Sequence, residues 1–344
     1  MEERLPPNAP VYVVRKKKVW PKVLLWVLFT GLAGGLLISL IVNAVLVQGL
    51  AREPARARRE RFTEVVVEGV GEDKIVLIPV RGLITFSEPR SIWERESLGQ
   101  QVVERLRSAA EDPAVKAVVL QIDSPGGGIT ASDIIYHRVK ELAESGKVVV
   151  AALEDLAASG GYYVACPSDW IVAHPTTITG SIGVIIQTLN LEVLMEKIGV
   201  RDVTIKRGEE KDVLSPFRDL TPSERAMLEG VIEEMYQRFL NVVAEGRHLD
   251  GDRLEAVAGG AIFTGTQALD YDLVDEVGYR DTAIARAREL AGIEEATVIK
   301  YRRVHSFFDL FRGRLGRGLS PAAGFDFQEL LKPQTPRLLY LWTL

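Results

Sequence analysis

The sequence predicts an α/β fold with a mostly parallel sheet, preceded by one transmembrane helix. Two observations carry this. Between Lys74 and Arg303, apolar runs rich in β-formers alternate with stretches of helical spacing, the pattern of βαβ units whose sheet is covered by helices. Ahead of them, Val23 to Val47 runs for 25 residues with no charge and only Thr30, Ser39 and Asn43 as polar side chains. At about 1.5 Å per residue such a helix exceeds the ~30 Å hydrocarbon core of a bilayer. A cleaved signal peptide needs an apolar region of only ~7–15 residues, although "GLA" at Gly49 to Ala51 is a weak small-x-small site.

The elements follow in order. Residues 1–22 form a basic N-terminus, 23–47 the span, and 48–64 a charged, Ala/Arg-rich stalk. Residues 65–304 form the globular domain and 305–344 a Gly/Pro-punctuated tail. "KIVLIPVRGLI" (Lys74 to Ile84) is a continuous strand-like run, Gln100 to Ala110 has helical spacing, and "VKAVVLQID" (Val115 to Asp123) is again a buried strand. Thr130 to Glu144 reads as helix, then "KVVVAAL" (Lys147 to Leu153) and "WIVAHP" (Trp170 to Pro175) as strands. Leu191 to Ile198 is a short helix, and "VRDVTIK" after it a strand. "TPSE" at Thr221 combines an N-cap threonine, a proline at the first helical position and a glutamate at the third, so a long helix runs from there to Gly246. Helical stretches near Gly251 to Val257 and Thr282 to Ala291 bracket "FTGTQALDYDLVDEVG", and "ATVIKYRR" closes the domain as a strand.

The net charge of −5 divides unevenly: residues 1–61 hold eleven Lys and Arg against four Glu, so the remainder is acidic. Basic residues beside an apolar run read as a membrane flank, and an acidic globular part argues against nucleic acid as a partner. The Lys/Arg bias across the span is nearly balanced, so charge alone leaves orientation open. One cysteine, Cys166, excludes an intramolecular disulfide framework and any multi-cysteine metal site.

Parallel-sheet proteins place ligands at the carboxyl ends of strands. Two loops qualify. "QIDSPGGGIT" (Gln121 to Thr130) stops a strand and offers three glycines before a helix. It lacks the lysine of a phosphate loop and the dinucleotide G-x-G-x-x-G, but its backbone N–H groups would suit an oxyanion. The second loop holds Ser159 in "AASGG". This is not the G-x-S-x-G elbow; the serine reads either as the cap of a helix "GGYYVACP" or as a nucleophile given room by its small neighbours. A serine hydroxyl needs a base to attack an amide. His137, His248 and His305 lie in polar settings, and His174 follows a strand. Lys206 and Lys211 in "TIKRGEEKDVLSP" are the other candidates, but a lysine base must be neutral, and Glu209, Glu210 and Asp212 oppose that unless they face solvent.

"DSPGGG" (Asp123 to Gly128), "AASGGYYVA" (Ala157 to Ala165), "TTITGSIGVI" (Thr176 to Ile185), "KRGEEKDVLSPFRDLT" (Lys206 to Thr221) and "FTGTQALDYDLVDEVG" (Phe263 to Gly278) together resemble, in order and spacing, the bacterial signal peptide peptidase A family, also called protease IV. The resemblance implies the Clp protease/crotonase-like fold, a repeated ββα superhelix. It implies Ser159 as nucleophile, Lys211 as general base and Ser181 as the residue that orients the lysine. The N–H groups of Gly126 or Gly127, with Gly160, would make the oxyanion hole, worth ~3–4 kcal/mol per donor. No metal or cofactor is implied. The implied partners are hydrophobic peptides left by signal-peptide cleavage, the lipid bilayer and seven further copies in a dome-like octamer. The catalytic domain is expected outside the cytoplasm, with the amine of Lys211 buried by assembly. Rival readings are a non-catalytic membrane scaffold of the same fold and an acyl-CoA enzyme sharing the oxyanion architecture. The tail "PRLLYLWTL" (Pro336 to Leu344) is an apolar, extended peptide of the kind such an enzyme binds, and is expected to dock into a groove as a self-substrate.

Overall fold

The computed structural model describes residues 20–51, 62–86, 97–303 and 339–341. The N-terminus before Trp20, most of the expected stalk and residues 304–338 lie outside the described residues. The chain divides into two units, Met1–Glu60 and Arg61–Leu344.

The first unit contains α1 (Trp20–Ala51), within which Leu25–Ala44 is long and apolar enough to cross a membrane. Its side chains from Leu25 to Ala44 are exposed. Its polar side chains bond within the helix: Thr30 Oγ1 donates to the Trp26 carbonyl at 2.9 Å and Asn43 Nδ2 to that of Ser39 at 2.8 Å. Bonded in this way, neither side chain would need a further partner in hydrocarbon.

The second unit begins with β1 (Phe62–Glu68) and β2 (Lys74–Arg81), then α2 (Leu98–Glu111), β3 (Val115–Ser124), β4 (Gly126–Gly128) and α3 (Ile129–Glu144). β5 (Val148–Ala158), α4 (Gly160–Ala165), β6 (Trp170–Ala173), β7 (Ile178–Gly180) and α5 (Glu192–Ile198) follow. A 3-10 turn (Glu209–Asp212) precedes α6 (Pro222–Arg247), α7 (Gly251–Val257), β8 (Ile262–Thr264), α8 (Gly265–Asp270), β9 (Glu276–Val277), α9 (Arg280–Leu290), β10 (Thr297–Arg303) and β11 (Leu339–Leu341). The main sheet runs β1-β10-β2-β3-β5-β6-β9, parallel from β10 onward, with β1 antiparallel at one edge. The protein is therefore a mixed α/β fold with a mostly parallel sheet.

Both faces of the central strands are covered, which is why their sequences are continuous apolar runs rather than alternating ones. Val76, Ile78, Val118, Leu120, Val149 and Ala151 point into one core, shared with α2, α3 and α4. Ile75, Leu77, Ala117, Val119 and Val150 point into the other, closed by Ala283, Ile284 and Ala287 of α9. The long helix starts where the capping box places it, Thr221 Oγ1 accepting from Glu224 N at 3.2 Å and Glu224 Oε2 from Thr221 N at 2.9 Å.

One expected strand is absent. "VRDVTIK" (Val200 to Lys206) is irregular backbone, with Val203 and Ile205 82 % and 97 % exposed. Its β-forming residues find no neighbouring strand among the described residues, and an apolar run without a partner gains nothing from extension.

Candidate active site

The two loops singled out by the sequence meet because β3 and β5 are adjacent and parallel, with Ser124 in register with Ala157. β5 is long enough to have two neighbours on one edge. Val150–Leu153 pair with β6, and Leu156–Ala158 continue past its end to pair with β7. Ala158 is opposite Gly180, so Ser159 and Ser181 leave paired strands side by side, and Ser159 N–H donates to the Gly180 carbonyl at 2.8 Å. Thr179 Oγ1 binds the Ala157 carbonyl at 2.7 Å, locking the same junction.

Ser159 is 1 % exposed and sits at φ 53°, ψ −117°, the corner a type II′ turn reserves for glycine. It precedes α4 as its N-cap, yet its side chain makes no capping bond. Ser181 also has positive φ, 51°. Gly161 is required by approach: a Cβ there would lie 2.7 Å from the Ser124 carbonyl oxygen.

The glycine loop is a short strand pinned on one side. Ser124 Oγ donates to the Gly82 carbonyl at 2.7 Å and accepts from Gly126 N–H at 3.1 Å. Ile84 N–H donates to the Gly126 carbonyl at 2.8 Å, and Gly128 N–H to the Ile84 carbonyl at 2.9 Å. Strand alternation then turns the N–H and C=O of Gly127 to the opposite edge. On that edge lies the C-terminal strand β11, antiparallel, with Leu339, Tyr340 and Leu341 in register with Gly128, Gly127 and Gly126. Of the candidate oxyanion donors, Gly126 N–H is thus already engaged by Ser124, while Gly127 faces the paired peptide.

Lys211 lies on the exposed 3-10 turn. Among the described residues no hydrogen bond or ion pair engages its amine, and none joins the hydroxyls of Ser159 and Ser181. Lys206 is occupied: its Nζ reaches Asp212 Oδ1 at 2.5 Å and the Glu209 carbonyl at 2.7 Å. Asp212 does not face away into solvent as the sequence reading required. Arg218, and after it Lys206, hold its carboxyl well below the usual carboxylate range.

Cys166 and three of the four histidines have other surroundings. Burial pushes the Cys166 thiol up to about 12, so the reactive thiolate is scarce. His174 Nδ1 is 2.8 Å from Thr176 Oγ1 and its ring meets Tyr279 edge-on; His137 pairs with Glu141 at 3.2 Å; His248 caps α6. His305 lies outside the described residues. Among the described residues no group of three His, Cys, Asp or Glu could hold a metal ion. Sequence reasoning missed Ile84, the second edge of the glycine strand, and Arg218, the clamp on Asp212. Neither carries a motif signal; the capping box beside Arg218 is the one local hint.

Comparison with known proteins adds a family. Residues 141–294 match the model of peptidase family S49. "Putative signal peptide peptidase SppA" of Enterococcus faecium is 36 % identical over 285 residues, covering 79 % of this chain and 83 % of that protein. "Protease 4" of Haemophilus influenzae is 34 % identical over 238 residues, covering 69 % of this chain and 38 % of that longer protein. Among solved structures, a mutant of the 1510-N membrane-bound stomatin-specific protease aligns with a TM-score of 0.40 at 16 % identity, covering 63 % of this chain and 86 % of that one.

Proposed function

This chain belongs to peptidase family S49, and on that premise we propose that it is a membrane-anchored serine endopeptidase that hydrolyses remnant signal peptides through a Ser159/Lys211 dyad. The observation that carries the reading is the pairing of β11 with β4: an extended segment lies antiparallel along the glycine strand that adjoins the Ser159 loop. A peptide bound in that way by its backbone is recognised by extension first and by side chains second.

In the proposed reaction Ser159 Oγ attacks the scissile carbonyl carbon while the neutral Lys211 amine takes its proton. The developing oxyanion is held by the N–H groups of Gly127 and Gly160. Collapse of the tetrahedral intermediate expels the amine half of the peptide, which takes the proton from Lys211, and water then releases the acyl-enzyme by the same route. Ser181, beside Ser159 in the β5–β7 junction, would orient the lysine. The absence of a capping bond at Ser159 favours this reading over the helix-cap one, since an uncommitted hydroxyl is available to a substrate.

The exposure of Lys211 supports a dyad shared between copies. The segment leading to it carries Leu189, Val193, Leu194, Ile198, Val200 and Ile205 exposed, an apolar surface of the kind that marks an interface. Packing against a second copy would bury this surface and give Lys211 the water-poor setting that a lysine base requires. An octamer with its catalytic domains on the extracytoplasmic side, held by α1, fits apolar substrates that arise in the bilayer.

A serine-reactive phosphonate tests the assignment. The full chain should label at the peptide containing Ser159, and Ser159→Ala should abolish both labelling and peptidase activity. Lys211→Ala should lower activity by about 10³-fold or more with an unchanged melting temperature. Labelling of Ser159→Ala would remove the nucleophile, and an active Lys211→Ala beside an inactive Lys206→Ala would move the base.

A further inference from the structure

Arg218 ties the turn carrying Lys211 to the first turn of α6. All five N–H donors of Arg218 are used. Nε reaches Asp212 Oδ2 at 3.1 Å and Nη2 reaches Asp212 Oδ1 at 2.6 Å, while Nη1 reaches the Asp219 carbonyl and Glu224 Oε2, each at 2.9 Å. The second Nη2 donor goes to Glu224 Oε1. Glu224 is 2 % exposed and is itself fixed by the capping box of α6. Lys206 completes the group on Asp212 Oδ1, so two carboxylates meet two cations.

Asp212 is the sequence neighbour of Lys211. A carboxylate within ~4–6 Å of an ammonium favours its charged form, which is the wrong form for a base. The other charged groups around the pair are Arg207, Glu209 and Glu210 on the same segment, Asp219 in the next loop, and Glu192 of α5, which accepts from Asp219 N–H at 3.1 Å. Only Asp212 both adjoins Lys211 and is fully engaged elsewhere.

We propose that Arg218 is a positioning residue for the Lys211 amine: by clamping the Asp212 carboxylate to the first turn of α6, it withholds that counter-charge from Lys211 and fixes the turn on which the amine is presented. The inference rests on the reading of Lys211 as general base. It also explains the two lysines of "TIKRGEEKDVLSP": Lys206 is the second half of the clamp. Its own amine is consumed by Asp212 and the Glu209 carbonyl. The device needs an arginine, because a lysine cannot present a planar fork to two carboxylates at once.

The test is the pH dependence of kcat/KM, and of phosphonate labelling of Ser159, for the full chain in detergent. Arg218→Gln leaves Asp212 held by Lys206 at Oδ1 alone and frees its Oδ2 to meet the neighbouring amine, so the acid limb should move up by about one pH unit, with about tenfold lower activity at neutral pH. Arg218→Gln combined with Asp212→Asn should return the limb to the wild-type position although the clamp is gone. A merely structural arginine predicts the double variant to be as impaired as the single. An unmoved limb in Arg218→Gln, or a double variant that stays shifted, overturns the proposal. If Arg218→Gln fails to fold, Asp212→Asn alone serves: its limb should lie at or below the wild-type position, and an upward move overturns the proposal. Activity in Lys211→Ala would instead sink the underlying reading, whatever Arg218 does.

Discussion

At Ser159 the backbone works against the side chain it carries. A φ of 53° with ψ of −117° eclipses Cβ of an L-residue with the amide nitrogen of the next residue, at a cost of about 1–3 kcal/mol that glycine does not bear. The strain is maintained by neighbours: Ser159 N–H is held by Gly180, and α4 begins immediately afterwards, pressed onto the Ser124 carbonyl through Gly161. Ser159→Gly should therefore raise the melting temperature, by the equivalent of about 1 kcal/mol, while removing phosphonate labelling. A calorimetric scan decides this, and a fall in melting temperature would mean the corner is unstrained. That this serine stands between a strand and a short helix was readable from "AASGG" and its flanking runs. Its conformation was not, because φ at that position depends on β7 lying beside β5, and β7 is three residues, too short to show a strand period.

At the scale of elements, the site is an edge. β4 is three glycines pinned by Ile84 on one side and open to β11 on the other. Side chains would obstruct it: a Cβ on Gly127 would lie 2.1 Å from the Ile84 carbonyl oxygen. If the tail occupies the groove used by substrate, deleting Pro336 to Leu344 should lower KM for an added apolar peptide with little change in kcat; an unchanged KM would make β11 a packing strand only. The tail was recognisable in sequence as an apolar extended peptide, and its register on Gly126–Gly128 was not, since glycine carries no pattern that selects a partner. The opposite error occurred at Val200 to Lys206, where β-branched residues predicted a strand that has no neighbour to pair with.

The whole molecule sets Ser159 and the glycine loop at the carboxyl ends of buried parallel strands and leaves the proposed base on an exposed turn. If Lys211 serves the serine of another copy, Ser159→Ala and Lys211→Ala, each inactive alone, should regain activity when co-assembled, because a mixed oligomer contains junctions with both intact partners. Random co-assembly of two variants restores roughly a quarter of such junctions, and activity indistinguishable from zero would place the dyad within one chain. Much of this architecture could be read from residues alone. The apolar runs of β2, β3 and β5, the long apolar helix α1 and the capped start of α6 are local matters of hydrophobic period and capping, which neighbouring residues decide among themselves. The glycine-strand edge, the left-handed serine and the tail pairing came only from the tertiary structure, because each joins segments far apart in sequence through backbone contacts that no local pattern encodes; the Arg218 clamp spans only Lys206 to Glu224, but its closure depends on how the irregular backbone between them turns, which no periodic pattern encodes.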